Sequence, residues 1–417
     1  IAAPLGLEDG VAALLQTSSP LRGYSMGNGK GSKSCRRYAL ETSMKIYSTL
    51  ACNFDSYLLQ AAFPLLEAEK VQAIEWSFDA LFKISNVPAW FTELLDAFGK
   101  EGRLVGHGVY FSIFSGKWSP GQQAWLEQLK QLASAHRFDH VTEHFGFMTG
   151  EDFHKGAPMS VPVTAATLAI GIDRLKRLQA ACQCPVGLEN LAFAYSLDEV
   201  KKHGDFLRQL VEPVNGFLIL DLHNFYCQLQ NFDLDWEELL SLYPLELVRE
   251  IHISGGSWED AAIAPGKKIR RDTHDDTVPP EVFMLLEKAI EKCPNLKFVV
   301  MEQLSSALQK PENQALFRKD FLAMDEIVQR ENERQRQPFL NSFLPKAAPE
   351  LGLPTEDESL HRQQSELSKI LETASGYEDA RNLLSVSSLA NSAWEVENWE
   401  PCMLETALRI AQKWRDG

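Results

Sequence analysis

The chain has 417 residues, 45% of them hydrophobic and 24% charged, with a formal net charge of −16. That length holds one large domain with a smaller one, or two of medium size, and the composition is that of an ordinary globular protein. So acidic a chain is unsuited to nucleic acid or an anionic membrane surface, whereas cationic partners or bound metal cations suit it.

Residues 1–44, including the Gly- and Ser-rich "GYSMGNGKGSKSC" (23–35), read as an N-terminal arm. The stretch 27–34 within it lacks the spacing of a phosphate loop and follows no strand. From 45 to 330, short apolar runs alternate with longer helical stretches. The predicted strands are 47–54, 71–78, 102–113, 139–145, 185–190, 216–222, 248–254 and 296–302. Between them, "PGQQAWLEQLKQLASAH" and "AATLAIGIDRLKRLQAAC" carry apolar residues at three- and four-residue intervals. Eight strands alternating with helices predict a (β/α)8 TIM barrel; a doubly wound open sheet is the alternative. Residues 331–359 are polar and Pro-bearing and predict a linker, and 360–417 predict a small helical C-terminal appendage that the barrel does not need in order to fold. The N-terminal stretch lacks the basic region of a secretory signal, and no apolar run reaches membrane-spanning length. The seven scattered Cys read as reduced thiols, which with the missing signal predicts a cytoplasmic protein.

Most of the predicted strands end in a polar residue of ligand type: Glu75, His107, Glu143 with His144, Glu189 with Asn190, Asp221, His252 and Glu302. In a barrel the C-terminal strand ends ring one mouth, where active sites lie, so these residues would converge. "LDLHNFY" adds His223 and Asn224, and "RRDTHDDTVPPEVF" (270–283) adds Asp272, His274, Asp275 and Asp276. So many carboxylates in one dry pocket must be paired, protonated or bound to cations. Carboxylates mixed with imidazoles suit two or more divalent ions of Fe, Mn or Zn type, and no Cys stands at a strand end to make a soft thiolate site. In the loop, Asp272 and His274 are expected to reach the metals and Asp276 to face solvent. Asp275 and His223, left unligated, are the candidates to move protons. Each residue alone has a plain structural explanation. A strand-end His is ordinarily hydrogen-bonded, and Thr277 would cap a helix whose first positions are Pro and whose Glu281 favours the dipole. That explanation leaves out the repetition at strand after strand. No G-x-S-x-G elbow, Walker A loop or helix-opening G-x-G-x-x-G is present.

Taken in order, "GHGVYFSI", "HVTEHFGF", "GLENLAFAY", "LDLHNFYCQLQNF", "REIHISGG", "DTHDDTVPPEVF" and "VVMEQL" make the region 45–305 resemble the multinuclear non-heme iron-dependent oxidative enzymes. The resemblance implies a xylose-isomerase-like barrel with two or three iron ions and O2 as co-substrate. It implies oxidative remodelling of a residue, often Cys, in a ribosomally made precursor peptide that a partner protein presents. By position it implies His107, Glu143, His144, Glu189, Asp221, His252, Asp272, His274 and Glu302 as ligand or near-ligand residues, with the amides of Asn190 and Asn224 beside them. Two positions depart from the family pattern. Gly256 in "HISGGSW" stands where the family has a second His, and Asn53 in "LACNFDS" where its first strand often ends in His. Both bear on a third ion more than on the first two. A metal-dependent sugar isomerase or phosphodiester hydrolase on the same architecture, and a non-catalytic metal-bearing scaffold, are the rival readings.

Overall fold

Eight parallel strands close into a barrel in a computed structural model that describes residues 45–82, 84, 87–148, 158–334, 338–345 and 351–415. The expected arm over 1–44 lies outside the described residues. The strands are β1 (Tyr47–Ala51), β2 (Ala73–Trp76), β3 (Leu104–His107), β4 (Val141–His144), β5 (Val186–Glu189), β6 (Phe217–Asp221), β7 (Val248–Ile253) and β8 (Phe298–Met301). Each falls inside one of the predicted runs. Closure comes from β1 lying beside β8, with Tyr47 opposite Phe298 and Leu50 opposite Met301, so the open-sheet alternative is excluded.

Alternation along each strand divides the side chains. Ala73, Val105 and Phe298, with Tyr47, fill the lower barrel interior as a small apolar cluster. Trp76, of opposite parity to Ala73, packs outside against the rings of Phe91 and Phe138. A register shift between Leu218 and Ile219 skips Arg249, so Ile219 pairs with Glu250 and Asp221 with His252.

The outer layer is α1 (Ser56–Glu67), α2 (Ala89–Lys100), α3 (Pro120–Ala135), α4 (Ala165–Cys182), α5 (Leu197–Val211), α6 (Leu222–Phe232), α7 (Trp236–Ser241), α8 (Pro280–Ile290) and α9 (Pro311–Asn332). Both helical stretches quoted above are capped as their sequences suggest, by reciprocal bonds of Ser119 with Gln122 and Thr164 with Thr167. Thr277 differs. The helix starts at Pro280 after Pro279, and no side chain caps it. Two consecutive prolines set the entry, which leaves Thr277 too far upstream to reach the first turn. Two short ribbons, Phe147–Met148 with Pro158–Met159 and Trp258–Asp260 with Lys268–Arg270, decorate the segments after β4 and β7.

Some of the described residues of 331–359 pack against the barrel. Phe343 is fully buried at the closed end, 5.7 Å from the Phe217 ring. Arg174 and Arg177 donate to the carbonyls of Thr355 (2.9 Å) and Gly352 (2.8 Å). Helices α10 (Glu358–Thr373), α11 (Tyr377–Ser385) and α12 (Pro401–Arg415) follow. Their Leu367, Leu371 and Met403, with Trp394 and Trp399, belong to the same hydrophobic cluster as the barrel helices. Trp399 stacks on Tyr195 with 3.7 Å between centroids, and the Gln364 amide donates to the Phe114 carbonyl at 2.7 Å. These partners follow β5 and β3, so the C-terminal helices grip the end of the barrel that carries the mouth. Among the described residues no helix is long and apolar enough to cross a membrane.

Candidate metal centre

Three imidazoles stand at the C-terminal ends of β3, β4 and β7, each tied by one nitrogen. His107 Nδ1 pairs with the Thr142 hydroxyl at 2.8 Å, and that hydroxyl donates in turn to the Gly106 carbonyl at 3.2 Å. His144 Nδ1 donates to the Gly108 carbonyl at 3.0 Å. His252 Nε2 donates to Glu250 Oε1 at 2.9 Å. The other nitrogens face carboxylates. Glu189 Oε2 lies 3.2 Å from His107 Nε2 and 3.5 Å from His144 Nε2. His252 Nδ1 lies 3.5 Å from Glu302 Oε2 and 3.9 Å from Glu189 Oε1. One nitrogen anchored and one presented is how a metal-binding histidine is oriented.

Among the described residues, donor atoms within 4.8 Å of one another form three groups: His107, His144 and Glu189; Glu75, His252 and Glu302; Glu189, Asp221 and His252. Glu189 and His252 each serve in two groups, so these are adjoining positions in one centre. All seven residues are buried except His144 and Glu302, which reach the open side. Both Glu75 oxygens, Glu189 Oε2, Asp221 Oδ2, Asn224 Oδ1 and His252 Nδ1 are buried with no hydrogen-bond partner. Such orphans cost about 1–3 kcal/mol each, and a cation placed among them satisfies several at once. Nitrogen and oxygen donors without thiolate suit Fe, Mn or Zn. The residues therefore fit a metal centre.

Electrostatics agree. Burial pushes Glu75 up to about 8 in spite of His252 and His107. Burial opposes a charge on His107, but Glu75 and Glu189 outweigh it and lift the imidazole to about 9. Burial, Glu189 and Asp272 push Asp221 well above the carboxylate range. Without cations the cluster keeps protons that cations displace.

The amides lock two strand ends together. Asn190 Oδ1 accepts from Asp221 N (2.7 Å), and Asp221 Oδ1 caps α6 by accepting from Asn224 N (2.6 Å). Asn224 Nδ2 donates to Glu189 Oε1 (3.2 Å) and to the Asn190 carbonyl (2.8 Å), and its Oδ1 is buried without a hydrogen-bond partner.

Asp272 and His274 stand on the rim, with side chains 26% and 25% exposed and His274 Nε2 2.8 Å from Asp272 Oδ1. The backbone between them is not extended, since His274 has a left-handed φ of 50°. His274 Nδ1 lies 3.7 Å from Glu302 Oε2, which joins the rim to the buried groups. His223 is fully buried. Its Nδ1 donates to Asp272 Oδ1 (3.0 Å) and its Nε2 accepts from Arg270 (3.0 and 3.2 Å), so it positions Asp272. Asp275 is exposed and accepts from the Thr273 hydroxyl at 2.5 Å, and Asp276 is exposed and accepts from Thr277 N at 2.8 Å. Neither belongs to the donor groups.

Glu143 is fully buried but falls outside the three groups. Strand alternation turns it away from the side that His144 faces. Burial and the nearby Asp79 carboxylate push it well above its ordinary range. Asp79, which carried no signal in the sequence, accepts from Val109 N (3.0 Å), Tyr110 N (2.9 Å) and Trp125 Nε1 (3.2 Å). At Gly256 an added Cβ would lie 2.2 Å from the Arg271 carbonyl and 2.8 Å from His223 Cε1, so no side chain fits there. Asn53 is tied to Ser77, accepting from its N (3.0 Å) and donating to its hydroxyl (3.3 Å).

Residues 68–309, more than half of the chain, match the family model described as RiPP precursor modification enzyme MbnB/TglH/ChrH. A "UPF0276 protein" of Caulobacter vibrioides (strain NA1000 / CB15N) is 28% identical over 47% of this chain and 67% of its own length. "UPF0276 protein AM1_3026" of Acaryochloris marina (strain MBIC 11017) is 29% identical over 45% of this chain and 64% of its own length. The chain thus spans about two thirds of the length of these relatives. Among solved structures, the IolI protein with a bound zinc atom superposes with a TM-score of 0.46 at 14% identity, over 67% of this chain and 98% of that one. A xylose isomerase-like TIM barrel protein from Mycobacterium smegmatis in complex with magnesium gives 0.42 at 14% identity, over 67% and 97%.

Proposed function

Since the chain belongs to the RiPP precursor modification enzyme family MbnB/TglH/ChrH, we propose that it is a multinuclear iron enzyme that uses O2 to oxidise a residue, Cys before others, of a ribosomally made precursor peptide. A partner protein that presents the peptide is part of this proposal. The observation that carries the reading is the convergence of three singly anchored imidazoles on Glu189 and Glu302 amid buried oxygens that have no partner.

His107 and His144 through Nε2, His252 through Nδ1, and Glu75, Glu189, Asp221 and Glu302 through carboxylate oxygens would hold the ions. Iron held there supplies Lewis acidity toward a substrate thiol and electrons for O2. The protein's own part is geometric. Thr142 and the Gly108 carbonyl keep His107 and His144 from turning. The partly exposed His144, Asp272 and His274 mark the side from which a peptide side chain approaches. Asp272, held by His223, which Arg270 holds in turn, would flank that approach.

The test is direct. Protein purified without O2 is loaded with Fe2+, its ions are counted by elemental analysis, and it is mixed with a Cys-bearing precursor peptide encoded beside its gene. A mass change on that peptide that needs both iron and O2 supports the reading. Turnover of a sugar or phosphodiester with Mn or Zn in the absence of O2 replaces it with the isomerase or hydrolase reading. Metal binding without any turnover leaves the scaffold.

A further inference from the structure

We propose that Glu250 is the positioning residue that decides which nitrogen of His252 faces the cations, and that it is itself held from the opposite end of the barrel. The inference rests on reading the cluster as a metal centre.

Glu250 and His252 are two residues apart on β7 and both fully buried. Two carboxylates compete for His252 Nε2. Glu75 Oε2 lies 3.1 Å away, but neither Glu75 oxygen has a hydrogen-bond partner. The aligned acceptor is Glu250 Oε1, at 2.9 Å. In the neutral ring that ligates a cation, the proton stays on Nε2 and Nδ1 offers its lone pair; Nδ1 is the atom left without a hydrogen-bond partner, 3.9 Å from Glu189 and 3.5 Å from Glu302.

The other Glu250 oxygen bonds His140 Nε2. His140 is fully buried between the edges of Phe217 and Phe298, with centroids at 4.7 and 5.3 Å. Its Nδ1 lies 3.0 Å from Asp139 Oδ1, which also accepts from Arg249 Nη2 at 2.6 Å, while Lys297 bonds the second Asp139 oxygen. Asp139 precedes β4 and Lys297 precedes β8, so this ion cluster sits at the closed end. A polar row thus runs from the closed end, past the Phe217 and Phe298 rings that flank His140, to the metal centre.

Barrel interiors are ordinarily filled by branched apolar side chains, and buried ionic groups do not stabilise better than apolar ones of like volume. Folding alone does not call for this row. The residue that gains is His252, whose ring is held in one orientation and one tautomer.

The experiment uses the full chain, freed of metal and titrated with Co2+ without O2, read by visible absorption, beside thermal melts of the metal-free proteins. Wild type should bind Co2+ with ligand-field bands. Glu250→Ala should lose about 10–100-fold in affinity at one cation position and change the band pattern. Glu250→Gln, whose amide oxygen still accepts from Nε2 and whose NH2 can donate to His140, should stay within about threefold of wild type. His140→Phe fits among the aromatic rings and frees Glu250, so it should fall between these. A folded Glu250→Ala protein with wild-type Co2+ affinity and bands overturns the proposal, whatever its melting temperature. Should Glu250→Ala fail to fold, unchanged Co2+ affinity and bands in His140→Phe overturn it. Wild type that binds no Co2+ overturns the metal reading as well; wild type that binds while all variants match it overturns this inference alone.

Discussion

Glu189→Gln tests the centre at its most shared point. Glu189 belongs to two of the three donor groups, whereas Asp221, His107 and Glu302 each belong to one. Its Oε2 faces both His107 and His144, and its Oε1 faces His252. The amide keeps the shape and removes one negative charge. A cation among these atoms lies within about 4 Å of the lost charge, which at an effective dielectric of about 20 is about 4 kcal/mol per unit of cation charge. That is roughly a thousandfold in affinity for even a single unit of charge, at each of two positions. Iron loading under anaerobic conditions followed by elemental analysis should show the variant losing more ions per chain than Asp221→Asn, which touches one group. Burial would raise Glu189, but His144 and His107 hold it below its ordinary value, so the metal-free variant also loses favourable pairing and should melt lower. Equal metal content and affinity in Glu189→Gln and wild type would refute the reasoning, since among the described residues no other carboxylate links the groups in this way.

The metal-free protein should be less stable at high pH. His107, ordinarily near 6.5, is held at about 9, and Glu75, ordinarily near 4.5, at about 8. Both folded values are raised, so their contributions are fully present below the ordinary values and are lost as pH climbs through about 8 to 9. Melting temperature should therefore fall from pH 5 to 9.5 without metal, and much less with Fe2+ or Co2+ bound; a flat metal-free profile counts against the two assignments. Glu143→Gln should keep full metal content, because Glu143 lies outside the donor groups and is already pushed toward its neutral form; elemental analysis showing lost ions would make it a ligand. Trp399→Ala, which removes a buried ring stacked on Tyr195 at 3.7 Å, should cost about 3–5 kcal/mol in denaturant unfolding. A loss below about 1 kcal/mol would mean that the C-terminal helices are not part of the barrel's core.

Much of the barrel was legible because apolar runs of strand length recur with helices between them, and because most runs end in a ligand-type residue. The same rule that marked His107 and Glu302 marked Glu75, which the structure places in a donor group. Its limit shows at Glu143. Alternation lets only one of Glu143 and His144 face inward, and residue type alone does not say which. Composition hid the burial of Phe343, since a mostly polar segment gave no hint that this ring would pack against Phe217. Gly256 and Asn53 could be seen as departures, but that a Cβ at 256 has no room, and that Asn53 is bound to Ser77, are facts of packing.

The polar row along the axis was written in the chain in a form that only three dimensions decode. "DHVTEH" places His140, Thr142 and His144 at alternate positions, and in the structure these three bond Glu250, anchor His107 and face Glu189 in turn. "REIHI" places Glu250 and His252 at alternate positions as well. Period-2 recurrence of polar residues inside an apolar strand ordinarily means a solvated face. In a closed barrel with helices all round, neither face of a strand is solvated, so inward polar residues must find partners on other strands at the same height. His140 and Glu250 do this across the barrel, and His252 stands one step higher with its Nε2 already satisfied. Polar alternation in a strand of an eight-fold β/α pattern is therefore a signal for a buried network. Here that network ends at His252, one of the three imidazoles whose second nitrogen faces the centre.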